Sequence, residues 1–72
     1  MTFSSRYAAP RPQLYDIYFE KERNVRFLES YQILPIGDVS HYDGHACTTA
    51  LLTSGQRADL SKHASLRPIG NQ

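Results

Sequence analysis

Asp43-Gly44 is the feature that most narrows what this chain can fold into. Asp-Gly suits the two-residue type I′ turn, in which both central residues take positive φ and the flanking strands keep their right-handed twist. Such a turn sets Tyr42 opposite His45, His41 opposite Ala46, Ser40 opposite Cys47 and Val39 opposite Thr48. The returning segment, residues 45–53, alternates Ala46, Thr48, Ala50 and Leu52 with Cys47, Thr49 and Leu51, and its threonines suit a pleated, half-buried surface. An antiparallel hairpin is expected here.

A core must also draw on residues 14–36, where Tyr15, Tyr18, Phe19, Phe27 and Tyr31 make five of the chain's eight aromatic residues. With a period of two, Tyr15, Ile17 and Phe19 share one face, and Val25, Phe27, Tyr31 and Ile33 repeat the pattern with Glu29 as the interruption. This predicts a second hairpin closed by residues 21–24, with Phe19 meeting Val25 and Ile17 meeting Phe27. Tyr18 then shares the other face with Arg26 and Leu28. The competing reading is a helix, because Glu22 stands four residues before Arg26 and Phe27, Leu28, Tyr31 and Leu34 follow helical spacing. Pro35 ends the element in both readings.

Beyond the hairpins, Ser54 is a candidate N-cap for a helix through Gln56 to Leu66 that stops before Pro68, with a strand over Arg57 to Ser61 as the alternative. Leu60 and Ala64 would face the sheet, and Asp59 and His63, four apart, would pair outside. The fold class that follows is α+β, a small antiparallel β-hairpin sheet with one short C-terminal helix. Residues 14–66 form the single small domain, residues 1–13 a flexible basic arm stiffened by Pro10 and Pro12, and residues 67–72 a loose tail.

Net charge is +1, but it is unevenly spread. Arg6 and Arg11 on residues 1–13, and Lys62 and Arg67 on residues 60–72, have no acidic neighbours in those segments. The middle carries Lys21, Arg23, Arg26 and Arg57 against seven carboxylates. Basic ends flanking an acidic centre suit either solvated tails or arms that reach an acidic partner or a phosphate backbone. The one cysteine, Cys47, cannot form an internal disulfide, which fits a reducing compartment. No apolar run approaches the roughly 18 residues of a membrane span. The opening residues also lack the hydrophobic centre of a secretory signal.

His41, His45, Cys47 and His63 have zinc-ligand chemistry, yet in the hairpin His45 and Cys47 share a face while His41 points to the other, so no tetrahedral site is expected. Cys47 with His45 or His63 and Asp43 contains the residue types of a nucleophilic triad. So short a chain hardly provides the cleft such sites occupy, and no enzyme and no cofactor are expected. The contact residues read from the chain are Arg6, Tyr7 and Arg11 on the arm, and Tyr18, Arg26 and Leu28 on the less apolar hairpin face.

The opening MTFSSRYAAPRPQLYDIYFEKERNVRF, the single-domain length and the basic ends resemble the small transcription regulators with which lytic phages of Xanthomonas act on the host. The resemblance is one of overall sequence character, without a short signature. It implies a non-enzymatic protein of the host bacterial cytoplasm, a monomer when free. It would bind bacterial RNA polymerase near the RNA exit channel, through the N-terminal region of the β′ subunit and close to nascent RNA. The implied outcome is antitermination and inhibited initiation at host promoters. Alternatives are a nucleic-acid-binding module or a zinc-stabilised module, and, within the resemblance, an antagonist of another host complex.

Overall fold

The computed structural model describes residues 11–69. Its elements are β1 (Gln13–Phe19), a 3₁₀ turn (Glu22–Val25) that runs into α1 (Arg26–Ser30), β2 (Pro35–Tyr42), β3 (His45–Leu52), α2 (Ser54–Leu60) and β4 (Ser65–Pro68). The strands form one sheet in the order β2-β3-β1-β4 with all neighbours antiparallel. β1 and β2 therefore run parallel with β3 between them, the split βαβ arrangement. The α+β class agrees with the sequence, with two short helices in place of one.

The hairpin at Asp43-Gly44 forms with φ of 53° and 79° at the two turn residues. Tyr42 faces His45, His41 faces Ala46 and Ser40 faces Cys47. The expected register stops there. The next pair is Ile36 with Thr49, so residues 37–39 bulge opposite Thr48 and Val39 does not pair with it. Gly37, at φ 79°, takes the left-handed conformation that the bend requires.

The second hairpin is replaced. β1 pairs with β3, setting Tyr15 opposite Ala50, Ile17 opposite Thr48 and Phe19 opposite Ala46, while residues 22–30 are helical. Ala46 and Ala50 are too small to cover their side of the sheet, and the helical segment fills the space, with Leu28 buried and Val25, Phe27 and Tyr31 packed against the core. A strand would have turned Leu28 outward. α1 closes with a Schellman cap: Ile33 N–H donates to Leu28 C=O at 2.7 Å and Gln32 N–H to Glu29 C=O at 3.0 Å. Gln32 sits at φ 59°, in the position usually given to glycine.

Thr53, not Ser54, caps α2. Its hydroxyl accepts from Gln56 N–H at 3.1 Å and its own N–H donates to Gln56 Oε1 at 2.9 Å, a reciprocal capping box. The Gln56 amide nitrogen also donates to the carbonyls of Tyr31, at 3.1 Å, and Gln32, at 3.3 Å, beyond the end of α1. The helix stops at Leu60 instead of Leu66 because the chain turns back to lay β4 beside β1, with Leu66 opposite Ile17 and Arg67 opposite Asp16. The segment from residue 67 is thus not a loose tail up to Ile69, whose N–H donates to Leu14 C=O at 2.9 Å.

Among the described residues, the fully buried apolar side chains lie on one side of the sheet. Ile17, Phe19, Ala46, Ala50 and Leu52 supply its floor, and Leu28, Ile33 and Leu60 cover it. Leu60 and Ala64 face the sheet as the sequence suggested. Burying each large side chain contributes about 1.5–3 kcal/mol. Strand alternation sends the intervening residues to the opposite face, which no helix covers among the described residues.

Candidate binding surfaces

Two surfaces stand out, one on each side of the sheet. On the open face β1 presents Asp16 and Tyr18, β3 presents His45, Cys47 and Thr49, β2 presents Ser40 and Tyr42, and β4 presents Arg67. The rings of Tyr18 and His45 are nearly parallel, 23° apart with centroids at 5.6 Å, and the Tyr18 hydroxyl is hydrogen-bonded to His45 Nδ1 at 2.8 Å. Tyr42 lies on the other side of His45, with centroids 6.3 Å apart, and its hydroxyl meets Cys47 Sγ at 3.6 Å. This hydrogen bond, reinforced by the charge of the thiolate, holds the Tyr42 phenol above its ordinary pKa of 10.0. The rings are thus oriented while Tyr18 stays 37% and Tyr42 52% exposed.

Between Tyr18 and Tyr42 a shallow depression of about 390 Å³ crosses the face, floored by Cys47 and Thr49 and bordered by Asp16, Asp38 and Arg67. The Thr49 hydroxyl donates to Asp16 Oδ1 at 3.2 Å, and Arg67 approaches Asp16 at 3.9 Å with its side chain mostly in water. An exposed pair at that distance contributes little to stability, so Arg67 is available to a ligand. Lys21 and Lys62 share an adjoining depression with Tyr18, together with Glu20.

The second surface is an apolar groove of about 720 Å³ between α1 and edge strand β2. Val25, Leu28, Ile33, Leu34, Pro35 and Val39 line it, with Arg26 and Glu29 alongside. Leu34 is 84% exposed.

The residues singled out in the sequence are divided between these places. Arg6 and Tyr7 lie outside the described residues. Arg11 is exposed just ahead of β1. Tyr18 is on the open face, whereas Arg26 and Leu28 meet at the groove on the helical side, so the three do not form one patch. The cause is the helix over residues 22–30: it buries Leu28 at 4% exposure and sets the Arg26 guanidinium 5.0 Å from the Phe27 ring centroid.

The histidines and the cysteine also disperse. His41 pairs with Glu22, His45 with Tyr18 and Cys47 with Tyr42. His63 does not pair with Asp59. It stacks on Phe27 at 3.7 Å and 6°, and its Nε2 meets the Tyr31 hydroxyl at 3.2 Å. Among the described residues no group of three or more His, Cys, Asp or Glu side chains is placed to hold a metal ion. Nor, among them, is any helix long and apolar enough to cross a membrane.

The cross-strand neighbours Tyr42 and His45 were legible from the Asp-Gly turn. The addition of Tyr18 was not, because it depends on β1 lying against β3. Fold and surfaces together define a small α+β protein whose described residues cover one sheet face and leave the other open. Comparison with protein-family models, curated proteins and solved structures finds no match to this chain.

Proposed function

We propose that this is a phage-encoded protein that binds bacterial RNA polymerase near the RNA exit channel, acting by occupancy to cause antitermination and to inhibit host initiation. The likeness of the whole sequence to the Xanthomonas phage regulators supports the class. The structural observation that carries the reading is the groove beside β2, where Leu34 stands in water among Val25, Leu28, Ile33, Pro35 and Val39, with Arg26, Glu29 and Gln32 as the polar members of the lining. A large exposed side chain beside a sheet edge suits a protein partner that adds an extended segment to that edge and places alternate side chains in the groove. The β′ N-terminal region is the occupant in this reading. The basic residues Arg6 and Arg11, with Tyr7, would then reach a channel built for RNA, whose surroundings attract cations.

The test is retention of purified bacterial RNA polymerase by the tagged full chain, by its Leu34→Asp variant and by a truncation starting at Gln13, with terminator read-through measured for each. Retention by the full chain and the truncation, its loss in Leu34→Asp, and loss of read-through on truncation would support groove binding with the arm in the channel. A full chain that retains no polymerase refutes the reading.

A further inference from the structure

We infer that the open sheet face is a binding surface for single-stranded RNA, with Tyr18 and Tyr42 as stacking platforms. The choice of RNA over other single strands rests on the proposed position at the RNA exit channel; the surface itself is argued from geometry. Three features of that face belong together. Aromatic rings occupy adjacent positions on three neighbouring strands, each fixed by a hydrogen bond yet with a side left to solvent. Aromatic rings held in this way bind bases of any sequence, because every base has a π-face, and they spend little conformational freedom in doing so.

The cations are placed to match. Lys21, Lys62 and Arg67 border the depressions that meet at Tyr18. A strand whose bases lie on the rings would have its phosphates at this margin, and Arg67 needs to give up only a long, exposed contact to Asp16. The polar lining of the depression supplies the third feature. The Ser40 and Thr49 hydroxyls and the carboxylates of Asp16 and Asp38 can accept from base amino groups or from a ribose 2′-hydroxyl. Glu20 and the two aspartates balance the three cations in formal charge, so affinity depends on stacking more than on charge. A duplex, whose bases are already stacked on one another, offers this surface no base faces.

The test is fluorescence polarisation of an end-labelled, unstructured RNA oligonucleotide with the full chain, compared with its RNA duplex and with DNA of the same sequence. Tyr42→Ala and Arg67→Ala are the variants, each checked by circular dichroism for a native sheet. The single-stranded RNA should bind in preference to the duplex and to the DNA. Tyr42→Ala should weaken binding roughly 5- to 100-fold. Arg67→Ala should weaken it by less and lower the slope of log affinity against log salt by about one. Absence of binding by the full chain, equal binding of the duplex, or RNA binding unchanged in both variants would overturn the proposal, the last assigning RNA to another part of the chain. Preference for the DNA strand would overturn the choice of RNA. Polymerase retained without RNA bound sinks this inference alone, whereas RNA bound by a chain that does not retain polymerase sinks the proposed function and leaves the surface.

Discussion

Replacing Thr48 by valine should make this protein more stable. Thr48 is 7% exposed on the covered side of β3, opposite the bulge in β2, and its hydroxyl has no hydrogen-bond partner among the described residues. Burying an unpartnered hydroxyl costs about 1–3 kcal/mol. Valine has the same branching, keeps the strand preference and puts a methyl group where the hydroxyl sat. A net gain of about 1 kcal/mol is the lower end of that range, and in a chain of this size it should raise Tm by about 4–8 °C. With a urea m-value of about 1 kcal/mol/M, the midpoint should rise by about 1 M at constant slope. Thr48→Ser is the matched control: it keeps the hydroxyl, removes a buried methyl and should lower stability by about 0.8 kcal/mol. Urea titrations of the three proteins followed by circular dichroism decide the matter. A Thr48→Val protein less stable than the parent, beside a Thr48→Ser protein that matches it, would mean that the hydroxyl is bonded in solution, and the reasoning would fail.

Three further outcomes follow from the same geometry. Gln32→Gly should stabilise by roughly 1 kcal/mol, since glycine adopts the left-handed cap conformation without the strain that φ 59° imposes on a side chain; thermal unfolding reads the sign directly, and a lower Tm would refute it. Gln56→Ala should cost about 1–2 kcal/mol, because it removes the capping-box partner of Thr53 and the donor to two carbonyls beyond α1; an unchanged midpoint in urea would show those bonds to be idle. Tyr42 should ionise later than an ordinary tyrosine in an alkaline absorbance titration, and Cys47→Ala should return it toward 10.0. A raised folded pKa means that its contribution to stability is fully present below the unfolded value and lost as pH rises through the folded one, so the effect lies wholly in the alkaline range.

Where the determinants are local, the sequence was a good guide. Asp43-Gly44 dictates its own backbone conformation, and from it Tyr42, His45, Ser40 and Cys47 fall into their observed pairs. The bulge at residues 37–39 escaped because Gly37 precedes a run that alternates acceptably without it. The larger miss concerns the partner of β1. Residues 25–33 satisfy both a two-residue and a helical period, so patterning alone could not choose. What decides is a non-local requirement: Ala46 and Ala50 need covering, and only a helix delivers Leu28, Phe27 and Tyr31 to one place. The candidate contact residues inherited the same limit. Tyr18 was placed on an exposed face, but its companions there, His45 and Arg67, come from strands whose register with β1 no local rule reveals.

Gln56 joins structures that the chain makes far apart. The same side-chain amide helps start α2 by accepting from Thr53 N–H and, through Tyr31 and Gln32, holds the peptide groups just past the end of α1, while His63 lies against Phe27 and Tyr31 nearby. Two helices this short would each fray alone. Laced together in this way, the two should open as one unit, with the amide protons of both exchanging with solvent in a single concerted step. The open face needs no such motion to admit a ligand, so the protein can hold its core shut while its other side is in use.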